Sequence, residues 1–296
     1  LIALFTLGTG LTILQTASNP YIVCIGPRES AAFRISIMGL VNKGAGFVVP
    51  LVFTAVILTG MDQFTPQALA VLSSDEKATR IAELSNRLVV PYIYMTVALI
   101  VLMAFVKFSP LPELEKETTE GNKAGQIKAA LARPSLALGV LALFVYVAVE
   151  VIAGDTIGLF ALSLGVERYT VMTSYTMGCM VLGYILGIVL IPRVLSQQAA
   201  LAVSAVLGVA LTLAIVLGDT SSYVIANTLL VPFGGTALPD TLLLIAVLGL
   251  ANAIVWPAVW PLALSGLGSL TSVGSALLIM GIAGGAFGPR CWGLAS

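Results

Sequence analysis

From Ser135 to Ser163 the chain reads SLALGVLALFVYVAVEVIAGDTIGLFALS, a run in which Glu150 and Asp155 are the only charges. A bilayer core about 30 Å thick needs roughly 20 apolar residues per helix, and this run is long enough to cross it. The pattern returns at 1–25, 32–59, 88–108, 169–192, 198–218, 241–265 and 270–294, which makes eight expected spans. Composition agrees with that reading: 58% of the 296 residues are hydrophobic and 9% are charged, against about 25% charged in a soluble domain. Such a chain cannot hide its side chains in a water-soluble core. It reads as an all-α transmembrane helix bundle whose first partner is the lipid bilayer.

The same composition excludes several function classes. With no histidine, Ser-His-Asp and Cys-His catalysis, His-ligated metals and His proton relays are out of reach. A net charge of zero lacks the electrostatic footprint of a nucleic-acid binder. Cys24, Cys179 and Cys291 sit in apolar stretches at unrelated spacings, so neither a disulfide framework nor a metal site is indicated. The chain opens at Leu1 in mid-run and stops at Ser296 after another apolar segment, which reads as a piece of a longer, transporter-sized protein.

Between the spans, Tyr223 to Phe233 is apolar but too short to cross, and is expected at the interface or as a re-entrant piece. From Met61 to Arg87 a polar helix is expected, starting at Thr65-Pro66, with Ser73 to Glu76 as a capping box and Glu76/Arg80 and Glu83/Arg87 as i,i+4 pairs. Gly154/Gly158, Gly183/Gly187 and Gly281/Gly285 are small-residue pairs that let helices approach closely. Arg28, Glu29 and Arg34 read as a solvated turn. With alternate loops assigned to one side, Arg28, Arg34, Lys107, Lys116, Lys123, Lys128, Arg133 and Arg193 lie together, against Lys77, Arg80, Arg87 and Arg168. That asymmetry places the proline-bracketed loop Ser109–Pro134 in the cytoplasm.

Two stretches echo each other across that loop. Asn19-Pro20, Ile37-Met38-Gly39 and the Gly-rich Gly44 to Pro50 are matched by Asn252 to Pro257, Ile279-Met280-Gly281 and Gly284 to Pro289. Duplicated halves of this kind characterise transporters, with the substrate near the midplane between them. Polar residues inside the spans form stripes. Gln15 and Asn19 share a helix face, as do Tyr146 and Glu150, while Asn252, Trp256 and Trp260 make a ladder and Asn42 and Lys43 lie near mid-membrane. Intramembrane polar groups are costly and usually face a cavity or one another. Amides that donate and accept, beside flat aromatic faces, suit a neutral polyhydroxy ligand whose C–H face packs on indole. The bland alternatives are helix-tying amides, belt tryptophans and, for Asp155, a helix-end residue at the outer water boundary. Glu150 must find a partner or take up a proton, and Lys43 is the candidate partner.

Leu14-Gln15-Thr16-Ala17-Ser18-Asn19-Pro20-Tyr21, Gly26-Pro27-Arg28-Glu29-Ser30 and Arg34 to Gly39 with Asn42-Lys43 resemble the fucose–galactose–glucose symporter family of the major facilitator superfamily. Glu150 to Gly158 and Ala251 to Pro257 are similar to its glucose/galactose and N-acetylglucosamine permease branch. The resemblance implies a twelve-helix, two-half fold using alternating access, of which these spans would be helices four to eleven. Residues 1–109 would end the first half, 110–134 would be the cytoplasmic linker and 135–296 would carry the second half. It further implies a multi-pass bacterial inner-membrane protein, a monomer without cofactors, and cation-coupled uptake of glucose, galactose or N-acetylglucosamine. In that fold helices one, four, seven and ten line the cavity, and three of those carry the stripes named above. Gln15, Asn19, Asn42, Tyr146, Asn252, Trp256 and Trp260 are then the substrate-binding candidates, with Lys43, Glu150 and Asp155 for coupling or gating. The chain departs from the family at Gln15, where fucose permeases have a carboxylate, so coupling to a proton or sodium falls to Glu150, Asp155 or residues outside the chain. The rivals are a membrane-embedded enzyme, which the lack of His and the short loops disfavour, a channel, which the amide and indole stripes disfavour, and, as the nearest alternative, a drug or metabolite efflux transporter of the same superfamily.

Overall fold

The computed structural model describes residues 2–27, 30–56, 72–112, 123–191 and 193–295. Residues 1–48 and 114–296 form one compact unit, and 49–113 form a second. Seven stretches are long and apolar enough to cross a bilayer: Phe33–Val52, Ser74–Phe108, Pro134–Asp155, Tyr169–Leu190, Gln197–Leu217, Asp240–Leu264 and Gly268–Cys291. The eighth expected span is a continuous helix, α1 (Ile2–Cys24). It falls outside that set because four threonines, Gln15 and Asn19 interrupt its apolar face; Thr6, Thr9, Thr12 and Thr16 each return their hydroxyl to the carbonyl one turn back at 2.7 to 3.0 Å.

Helix α2 (Ala31–Val56) follows a turn that is not simply solvated. Arg34 is half-buried, and its guanidinium donates to the carbonyls of Ile22 and Val23 at 2.8 Å, to Pro27 at 3.1 Å and to the Ser30 hydroxyl at 2.6 Å. The last carbonyls of a helix have no partner within it, and a cation placed there also meets the negative end of the helix dipole. Arg34 therefore clamps α1 to α2, which corrects the reading of this residue as part of a wet turn; Arg28 and Glu29 lie outside the described residues.

In the second unit, α3 (Ser74–Phe108) merges the expected polar helix and the third span into one rod. The Ser73 capping box is present, with Glu76 Oε2 accepting from the Ser73 amide at 3.0 Å. Glu83 pairs with Arg87 at 3.0 Å and with Arg80 at 3.4 Å. The start signal at Thr65-Pro66 lies outside the described residues.

The first unit continues with α4 (Lys123–Leu131), α5 (Pro134–Asp155), α6 (Ile157–Ser163), α7 (Met172–Leu190), α8 (Gln197–Leu217), α9 (Val224–Leu229), α10 (Asp240–Ala253), α11 (Val255–Leu264), α12 (Thr271–Met280) and α13 (Gly284–Ala295). Three expected spans are thus broken helices. The run opening at Pro134 breaks at Thr156, and α7 compensates: Thr173 and Thr176 donate to the Gly154 and Ala153 carbonyls at 2.8 and 3.1 Å. The 241–265 span breaks at Ile254, because Pro257 has no N–H for the Ala253 carbonyl and its ring crowds that oxygen. The last span tightens into a 3-10 turn at Gly281–Ala283. Tyr223 to Phe233 is a short helix and a 3-10 turn, too short to cross. Asp240 holds it in place, accepting from Ser222 Oγ at 2.6 Å and from the amides of Ile225 and Ala226 at 2.9 and 3.2 Å.

Small residues set the helix contacts, since lipid offers no hydrophobic drive between helices and close packing must supply the attraction. α7 and α10 run in the same direction, as spans two apart must. A Cβ at Gly183 would stand 2.5 Å from the Ala253 Cβ, and one at Gly249 would collide with the Thr176 carbonyl. Gly281, Gly284 and Gly285 likewise lie against Val140, Phe144 and Val151 of α5. These contacts pack α5, α7, α10 and α11 around a shared interior.

Candidate functional site

The interior of the first unit holds a cavity of about 330 Å³. That is the lower end of the size range of small-molecule sites. Its amides come from three positions on two helices, Gln15 and Asn19 of α1 and Asn42 of α2. Asn19 is buried and donates to the Gln15 carbonyl at 2.9 Å, which fixes its orientation on the wall. Tyr146 of α5 and Trp256 of α11 supply the flat faces, with ring centroids 6.4 Å apart and planes tilted by 45°.

Lys43 of α2 and Glu150 of α5 meet in the same wall as an ion pair, their side chains 18% and 13% exposed. Each charge alone would be costly at this depth; together they compensate one another. The phenols of Tyr146 and Tyr184 line the same cavity and lie within reach of that carboxylate's charge. The Lys43–Glu150 contact is the one expected from the sequence.

Three expected positions fall elsewhere. Asn252 and Trp260 do not line the cavity. The break at Ile254 puts Asn252 on α10 and the two tryptophans on α11, so the supposed ladder is not one helix face. Asn252 is 8% exposed and Trp260 is fully buried, and both Asn252 Nδ2 and Trp260 Nε1 lack a partner among the described residues. Trp260 stands behind Trp256, ring centroids 5.8 Å apart, and braces it. Asp155 is the exposed last residue of α5, where the helix ends at Thr156, and it too lies outside the lining.

Sequence reasoning missed Tyr184 of α7, a lining residue only 2% exposed. Its signal was a phenol deep within the 169–192 span beside the small-residue pair Gly183/Gly187.

No family model matches the chain. Among curated proteins it is 30% identical over 298 residues to the glucose/galactose transporter of Brucella abortus, a match covering 98% of this chain and 63% of that protein. It is 25% identical over 302 residues to the L-fucose-proton symporter of Escherichia coli strain K12, covering 96% of this chain and 63% of that one. Among solved structures, FucP, a major facilitator superfamily transporter in the outward conformation, superposes on the whole chain and on 69% of its own length with a TM-score of 0.78 at 22% identity. The chain has the fold of that major facilitator superfamily transporter. Its seven stretches long and apolar enough to cross a bilayer fit a multi-pass membrane chain, and the proteins it resembles are named as transporters. The chain spans just under two thirds of the length of the curated relatives it matches.

Proposed function

We propose that this chain works in a secondary active transporter that takes up a neutral hexose or N-acetylhexosamine, such as glucose, galactose or N-acetylglucosamine, by alternating access and at the expense of a cation gradient. The observation that carries the reading is the cavity lining, where Gln15, Asn19 and Asn42 stand beside Tyr146 and Trp256. Amides donate to and accept from sugar hydroxyls, and indole takes the C–H face of the ring. The printed names of the two curated relatives support the substrate class, and the second supports a proton as the driving ion. In this reading residues 1–109 close the first half of the transporter, 110–134 link the halves and 135–296 belong to the second. Lys43 and Glu150 then join the halves, and their pairing changes as the cavity opens to one side or the other. Asn252 and Trp260 act from behind the wall, and Asp155 takes no part in coupling. The protein works as a monomer.

The test is uptake of the three labelled sugars by the full-length protein in proteoliposomes under a sodium gradient, a proton gradient or neither. Accumulation of one sugar under one gradient is expected. Failure to accumulate any of them under either gradient would overturn the reading. Inhibition by free sugars separates it from the efflux alternative, whose pockets are mainly apolar.

A further inference from the structure

Resting on the transport reading above, we infer that the Lys43 ammonium is a tethered stand-in for the coupling cation at Glu150, and that its release when the cation binds is what makes the sugar bind. The charged and titratable groups facing Glu150 are Lys43 from α2, Tyr184 from α7, and Tyr146 and Asp155 from its own helix. Asp155 is exposed at the helix end, so the half-closed interior holds one negative and one positive charge. The carboxylate and two phenols form an all-oxygen environment, which suits a proton or a small hard cation. The single Glu150 carboxylate, now paired with Lys43, carries one negative charge, which a monovalent cation such as a proton or sodium neutralises. The site is already filled by a cationic group, the ammonium itself.

Charge balance then dictates the coupling. When a proton joins Glu150, or sodium sits beside it, Lys43 loses its counter-charge and the cavity gains one positive charge. A desolvated ammonium has three donors and no acceptor, and leaving them unmet is costly. The hydroxyl oxygens of a sugar held between Gln15, Asn42 and Trp256 are the acceptors it needs. Cation and sugar thereby favour each other, and by linkage each raises the affinity of the other by the same factor. Such a cavity selects uncharged ligands, since an anionic sugar would take Lys43 without any cation and so escape the coupling.

Two substitutions move the cation requirement in opposite directions. Lys43→Met keeps the apolar stem and removes the competitor, so half-saturation should come at about tenfold less sodium, or about one pH unit higher if the ion is a proton. Lys43→Arg binds the carboxylate through a planar fork that never loses its charge, so half-saturation should need more cation. The readout is thermal stabilisation of the full-length protein titrated with sodium and, separately, with acid, alongside labelled-sugar binding. Sugar affinity should rise with cation in the parent and be flat in Lys43→Met, and Glu150→Gln should show no cation response. Unchanged half-saturation in both Lys43 variants, or shifts in the same direction, would overturn the inference while leaving transport intact. A parent that binds sugar without any response to sodium or acid would overturn it as well. A parent that binds none of the three sugars instead sinks the transport reading.

Discussion

Gly39 of α2 faces the ring of Tyr184 on α7 so closely that a Cβ at position 39 would stand 2.5 Å from Cε1 and 2.8 Å from the phenol oxygen. Tyr184 is packed with Met177, Met180 and Ala253, so the ring cannot retreat. The missing side chain on one helix therefore positions an aromatic wall contributed by another. Gly39→Ala is expected to force α2 and Tyr184 apart, at the cost typical of overpacking, about 1–3 kcal/mol, and to weaken sugar binding. Melting temperature in detergent and sugar affinity measured together check this; parental values for both would remove Gly39 from the account.

Gln15→Ala should weaken sugar binding about two- to twelvefold, the worth of a lost neutral hydrogen bond of ~0.5–1.5 kcal/mol. Asn252→Ala should leave affinity close to parental, because Asn252 stands behind the lining and its amide nitrogen has no partner among the described residues. Titration calorimetry with the preferred sugar separates the two, and a larger loss at Asn252 than at Gln15 would reverse their assignment.

Glu150→Gln removes the charge and keeps the shape. Concentrative uptake is expected to disappear while counterflow of sugar down its own gradient persists. Uptake and counterflow run side by side decide it, and accumulation at the parental rate would reduce the Lys43–Glu150 pair to a static contact.

Thr173→Val and Thr176→Val strip the hydroxyls that hold the freed carbonyls of Gly154 and Ala153 at the α5–α6 break. Each should lower stability by about 0.6 kcal/mol, the average for a hydrogen bond between membrane helices. Thermal unfolding in detergent measures the loss, and a double variant as stable as the parent would show that the break does not depend on α7.

Much of the fold is legible in the chain because crossing a bilayer is a local property: length and apolar content suffice, and seven of the eight expected spans meet both. The break at Ile254 has a local cause in Pro257, which stands where the backbone needs a donor, but the sequence reading ran the 241–265 span straight through it. The break at Thr156 was not legible, because its compensation comes from α7, far along the chain. The polar stripes on α1, α2 and α5 face one cavity, since helical periodicity alone puts Gln15 with Asn19 and Tyr146 with Glu150. The same periodicity misplaced Asn252 and Trp260, because it presumes one continuous helix.

By itself, then, the sequence determined the class of molecule, the positions of its spans and the identity of the few polar groups buried with them. Only the tertiary structure decided which of those groups meet. A helix apolar all round carries no mark of which side faces lipid and which faces protein, since both surroundings are equally apolar. Lys43 and Glu150 lie 107 positions apart in the chain, and no local rule joins them. They pair because α2 and α5 line the same cavity, where neither charge is stable alone.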